Sequence, residues 1–130
     1  MEFDWGYFFS LFSVGAFWQA CVTVVVVSSL SWFIGLILGF LLACAKLSGP
    51  RWLKVPVELY IWFFRSVPLM VLLVFVYNLP QLFPATQPLL GVPFIAGLVS
   101  MTVTEAAYMA EIHRGGLLSA PGGKAKPGMP

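Results

Sequence analysis

Charge is what this sequence has least of. Its 130 residues carry seven Lys and Arg, five Asp and Glu and one His, so charged residues make up 9% of the chain. A formal net charge of +2, so thinly spread, excludes the dense basic footprint with which a protein neutralises nucleic acid phosphates. Cysteine is equally scarce. Cys21 and Cys44 lie in one uncharged run, and on one helix they would stand roughly 35 Å apart, beyond disulfide reach. With His113 as the one imidazole, two lone cysteines cannot complete a zinc site of the usual ligand spacing. There is also no G-x-S-x-G, no H-E-x-x-H, no P-loop and no Gly-rich dinucleotide fingerprint, so no enzyme activity, cofactor or metal is expected of this chain.

What is present is apolar. Hydrophobic residues make up 60% of the chain, aromatics 16%, and the mean hydropathy is +0.93. Those values describe an all-α integral membrane protein, and at roughly 20 residues per crossing the length admits about three transmembrane helices. The first is expected over about 20–45, inside a stretch from Asp4 to Lys46 that holds no charge. Gly35 and Gly39 form a G-x-x-x-G pair within it that suits close helix contact. Residues 47–56, with Ser48, Gly49 and Pro50 as breakers, read as a short loop. A second helix is expected over 58–83 and a third over 93–113, with Pro93 placed where a helix begins. The apolar run is too long, and its acidic flank (Glu2, Asp4) is of the wrong sign, for a cleaved secretory leader.

Lys and Arg are unevenly shared among the connections. Lys46, Arg51 and Lys54 cluster after the first helix and Arg114, Lys124 and Lys126 after the third, while residues 1–19 and the Pro80 to Pro93 connection have none. The positive-inside rule then puts the N-terminal segment in the periplasm and both basic clusters in the cytoplasm.

Few residues can carry chemistry. Glu105 lies roughly 18 Å along the third helix from Pro93, well inside a bilayer, where a charge is costly. It is either a structural acid, protonated or paired in the bundle interior, or a group on a substrate path. Stepping by threes and fours puts Met101, Thr102, Tyr108, Met109 and Ile112 on its face, with Gly97 two turns earlier as a point of close contact. Arg65 falls near the face of Glu58 and can snorkel, and Glu111 can pair with Arg114 at i, i+3. Trp5, Tyr7, Trp18, Trp52, Tyr60 and Trp62 read as interfacial anchors.

The run Phe64-Arg65-Ser66-Val67-Pro68-Leu69, the run Glu105-Ala106-Ala107-Tyr108-Met109-Ala110-Glu111-Ile112 with Arg114-Gly115 after it, the opening Glu2-Phe3-Asp4-Trp5 and the stretch Leu41 to Ser48 together resemble the permease subunit of polar amino acid ABC importers, particularly those for glutamate and aspartate. The resemblance covers about residues 1–121. It implies the N-terminal part of a type I importer transmembrane domain over 20–121, in a bacterial inner membrane. It also implies a second permease subunit, homo- or heterodimeric, a periplasmic substrate-binding protein, and a cytoplasmic ATPase subunit that holds the ATP. The family's cytoplasmic coupling loop has no counterpart in Gly122 to Pro130, which reads as a disordered tail, so a truncated, non-coupling permease is expected. The alternative is a small stand-alone helical membrane protein with a scaffold or interaction role.

The loop charges generate a direct test of topology. Alkaline phosphatase fused after Phe83 is expected to be active and the same enzyme fused after Pro130 inactive; the reverse pattern overturns the assigned orientation.

Overall fold

The computed structural model describes residues 2–120 and is helical throughout them. A short helix α1 (Trp5–Ser10) and a 3-10 turn (Leu11–Ser13) lead into α2 (Gly15–Ser48), followed by α3 (Arg51–Ser66), α4 (Leu69–Leu82), a 3-10 turn (Pro84–Thr86), α5 (Gln87–Leu90) and α6 (Pro93–Ser119). Asp4 caps α1, its Oδ1 accepting from the Tyr7 amide at 3.0 Å. The tail 122–130, including Lys124 and Lys126, lies outside the described residues.

The first helix is longer than expected at both ends. Lys46 does not stop it, because its ammonium is paired within the fold, and α2 runs on until Gly49, whose amide donates back to the Ala45 carbonyl at 3.0 Å. A Cβ at Gly49 would collide with that carbonyl. The expected loop over 47–56 thus shrinks to Gly49 and Pro50, and α3 starts at once, with the amides of Leu53 and Lys54 bonding the Pro50 carbonyl.

The helix expected over 58–83 is instead two. Proline disfavours helical geometry in the residue before it, and Val67 is extended at φ −82°, ψ 127° while Pro68 is the residue that precedes the next helix. The chain turns by 106° between α3 and α4. A second turn of 92° separates Pro84–Leu90 from α6. The third helix runs six residues past its expected end at 113, to Ser119. The charges at Glu111 and Arg114 that suggested an end satisfy each other along the helix. Among the described residues α2 alone is long and apolar enough to cross a membrane by itself; each bent pair reaches that length and composition only as a pair.

Small residues organise the packing. Ser31, Gly35, Gly39 and Ala43 recur every fourth position and are the buried residues of α2, a stripe that permits backbones to approach. They meet Glu105–Ala106 and Met109–Ala110 of α6 in ascending order, so α2 and α6 run parallel. The α3–α4 pair runs the other way: Val57 and Ile61 pack on Ala110, and Leu72 and Val76 on Ala96. The rest of α2 turns large apolar side chains outward, Val22, Val24 and Val25 each more than 60% exposed, as a lipid-facing helix does.

A Cβ at Gly39 would lie 2.5 Å from the Met109 Cβ and 2.9 Å from the Ala110 nitrogen, whereas one at Gly97 meets nothing within 4 Å. Gly39→Ala is expected to lower stability by about 1–3 kcal/mol through overpacking. Gly97→Ala is expected to be neutral or to gain up to about 1 kcal/mol from helix propensity. Denaturant unfolding in mixed micelles measures both.

Candidate functional site

Two acids of α6, six residues apart, face different environments. Glu111 is the centre of an ionic node. Its Oε1 accepts from Lys46 Nζ at 2.8 Å, and its Oε2 accepts from Arg114 Nη2 at 3.0 Å and Nε at 3.3 Å. Arg65 Nη1 stands 4.0 Å from the same Oε2. The cations come from three helices, Lys46 and Arg65 from the last turns of α2 and α3, and Arg114 from α6 five residues before its end. The carboxylate is itself largely screened, at 18% exposure. In so partial a contact with solvent, charge-assisted hydrogen bonds are stronger than in water.

Tyrosines complete the node. Tyr108 lies with its ring 5.6 Å beneath the Arg65 guanidinium, a cation–π distance. Its hydroxyl donates to the Arg65 carbonyl at 3.3 Å, supplying a partner to one of the carbonyls that the end of α3 leaves free. Tyr60 donates to the Val103 carbonyl at 2.7 Å. On the α2 side, His113 Nε2 lies 3.2 Å from the Leu36 carbonyl, and since a carbonyl only accepts, that nitrogen carries the proton in this contact. The imidazole stands edge-on to Phe40.

Glu105 sits at one of the two close approaches of α2 to α6. A Cβ on Gly35 would fall 2.7 Å from the Glu105 Cβ, so this glycine makes room for the acid's stem. The side chain borders an open groove of about 450 Å³ lined by Ser28, Ser29, Ser31, Trp32 and Met101. Among the described residues no ion pair or hydrogen bond reaches its carboxylate. On the face assigned to it, Tyr108 and Ile112 are 44% and 64% exposed. Helix burial follows Ser100, Thr104, Ala106, Ala107 and Ala110 instead. The hydroxyls of Ser100 and Thr104 donate to carbonyls one turn back, which lets them be buried, while Thr102 Oγ1 is buried with no partner among the described residues. Gly97, expected to admit close contact, faces open space.

The other residues of the two sequence motifs have distinct places. Phe64 packs on the cluster of Leu72, Val76 and Ala96. Ser66 Oγ donates to the Trp62 carbonyl at 2.6 Å. Pro68 makes the bend, and Leu69 opens α4. Ala106 and Ala107 are fully buried against neighbouring helices, and a side chain at Gly115 would meet nothing. Glu58 is exposed and takes no part; Arg65 turns to Glu111 instead. Sequence reasoning missed Lys46, Tyr60 and His113. The available sign was that Lys46 and Glu111 each end an apolar run, so parallel helices would bring them level.

The chain is 38% identical over 96 residues to the octopine transport system permease protein of Rhizobium meliloti, covering 70% of this chain and 39% of that protein. It is 33% identical over 114 residues to the arginine transport system permease protein of Corynebacterium glutamicum, covering 81% and 36%. To the L-cystine transport system permease protein of Bacillus subtilis it is 31% identical over 117 residues, covering 90% and 46%. Its homologues are thus amino-acid ABC transporter permeases, and the chain spans less than half the length of each of these three. No protein-family model and no solved structure matches it.

Removing the shared anion strands three cations. Glu111→Gln is expected to cost about 2 kcal/mol, on the scale of hydrogen bonds to charged groups. Lys46→Met should cost less, because two cations still serve the carboxylate. In a double-mutant cycle the pair should couple by about 1 kcal/mol or more; additive effects would remove Lys46 from the node.

Proposed function

We propose that these residues form part of the membrane-spanning permease subunit of a bacterial importer for polar amino acids. The reading gives the chain three crossings, by α2, by α3 with α4, and by α6, with the N-terminus in the periplasm and the Glu111 end in the cytoplasm. A second permease subunit, a periplasmic substrate-binding protein and a cytoplasmic ATPase subunit that hydrolyses ATP complete the assembly. Glutamate or aspartate is the cargo the resemblance implies. The relatives' names, which include octopine, arginine and cystine, set the wider class of polar amino acids within which that choice is tested.

One observation carries the reading. Two of the four stretches on which the resemblance rests, around Arg65 and around Tyr108 to Arg114, lie some forty residues apart in sequence and meet in one node. An isolated helical scaffold has no need of so specific a joint. Glu105 is assigned to the substrate path: it lies mid-helix, beside serine hydroxyls, with its carboxylate unpaired among the described residues, and ionisable groups inside a membrane mark such paths.

The test is uptake. Deleting the host gene that encodes these residues is expected to abolish or strongly reduce uptake of at least one labelled amino acid among glutamate, aspartate, glutamine, arginine and cystine. Restoring the gene should restore it, and Glu105→Gln in the restored copy should lower uptake roughly tenfold or more at equal protein level. Unchanged uptake of the whole panel after deletion overturns the transport reading, and full uptake with Glu105→Gln overturns the assignment of Glu105.

A further inference from the structure

The Glu111 node holds more positive charge than it neutralises. Lys46, Arg65 and Arg114 face one carboxylate, which leaves an excess of two positive charges. The three are not engaged alike. Lys46 and Arg114 make close hydrogen bonds to Glu111, but Arg65 stands 4.0 Å off, outside hydrogen-bond distance, and its guanidinium donates to no group among the described residues. Its side chain is 45% exposed and that of Arg114 is 34% exposed. Both reach Oε2 of the same carboxylate, so the two guanidinium groups flank one point. The Tyr108 ring, 5.6 Å from the Arg65 guanidinium carbon, holds the group in place by a cation–π contact that uses none of its N–H donors.

The surroundings suit one kind of anion. Trp62, Tyr108 and Ile112, at 65%, 44% and 64% exposure, give this side an open apolar surface. Glu111 lies about 27 Å along α6 from Pro93, the thickness of a hydrocarbon core, which sets the node at headgroup depth when Pro93 is at the opposite face. A free carboxylate or phosphate would satisfy the charges but leave the apolar surface bare. A phosphate group joined to acyl chains satisfies both, and basic pockets between spanning helices hold such headgroups.

We propose that Arg65 and Arg114 form a binding site for the phosphate headgroup of an anionic phospholipid, whose acyl chains lie along the exposed apolar surface of Trp62, Tyr108 and Ile112. The lipid supplies negative charge that Glu111 alone does not, and it ties the bend between α3 and α4 to the end of α6. The site depends on α2 and its partners being embedded in a bilayer and not on transport, so it stands or falls separately from the importer reading.

Native mass spectrometry of the full chain released from mixed micelles tests it, with phosphatidylglycerol, phosphatidylcholine and inorganic phosphate as probes. Phosphatidylglycerol is expected to be retained in preference to phosphatidylcholine. Arg65→Gln and Arg114→Gln are each expected to reduce its retention about fivefold. Arg51→Gln, whose charge lies at the start of α3 and outside the node, should leave retention unchanged. Arg65→Lys, which keeps the charge and so the fold, should fall between wild type and Arg65→Gln, because an ammonium lacks the two-pronged donor edge. Equal retention of the two lipids, equal loss in Arg51→Gln, or retention of inorganic phosphate matching that of phosphatidylglycerol overturns the proposal.

Discussion

The approach of α2 to α6 is the contact on which the other arrangements rest. At Gly35 and Gly39 the two backbones are so near that even a methyl group would press on Glu105 or Met109. In an environment that offers no hydrophobic gain for bringing apolar helices together, such closeness is what makes dispersion and polar contacts count. The parallel register then follows through the molecule. It levels Lys46 with Glu111, brings His113 to the Leu36 carbonyl, and opens the groove between Ser28 and Glu105 at the other end. The α3–α4 pair leans on α6 beside this seam, Val57 and Ile61 on Ala110 with Leu42 and Ala45 of α2 at the margin, and Leu72 and Val76 on Ala96. Its own packing is thinner, and many of its large apolar side chains, Trp52, Leu59, Met70 and Val74 among them, remain exposed.

The bend at Pro68 has a second role beside turning the chain. By ending α3 at Ser66, it leaves carbonyl groups without helical partners, and one of these, at Arg65, is what the Tyr108 hydroxyl finds. A straight helix through 58–83 would have kept that carbonyl occupied, and its turn would have carried Phe64 and Val67 away from the Leu72 cluster. The backbone interruption and the polar joint are therefore one device.

Much of this was legible in the residues. A charge-free stretch of more than forty positions can hardly be anything but a long apolar helix, and Pro93 announced the start of α6 because its missing amide is harmless there. The Gly35 and Gly39 pair pointed to a close neighbour, although not to which one. Hydropathy hides the bend because the apolar stretches before Arg65 and after Pro68 together have the length of one span; the rule for a residue before proline, with Arg65 and Ser66 just ahead of it, is the local sign of a break. Lys46 was read as the end of a span because a lone cation after an apolar run usually is one. Its partner lies 65 residues away, and nothing within reach of a window along the chain could reveal it. The exposed position of Tyr108 and Ile112 was missed for a related reason: a helix with apolar residues on every side has no single inward face to read.

The node at Glu111 also has an order in time. A chain is made from its N-terminus, so Lys46 and Arg65 exist before the carboxylate that will receive them, with Glu111 following Lys46 by 65 residues. Through that interval the ends of α2 and α3 carry positive charges that lack this partner, and such charges resist passage through hydrocarbon. When Glu111 and Arg114 of α6 arrive together they add no net charge; what changes is that the cations now share one carboxylate, which joins α2, α3 and α6. The pairing that joins the finished helices is thus withheld until the last of them is made, so the same residues stand first as charges without an anion and afterwards as a clasp.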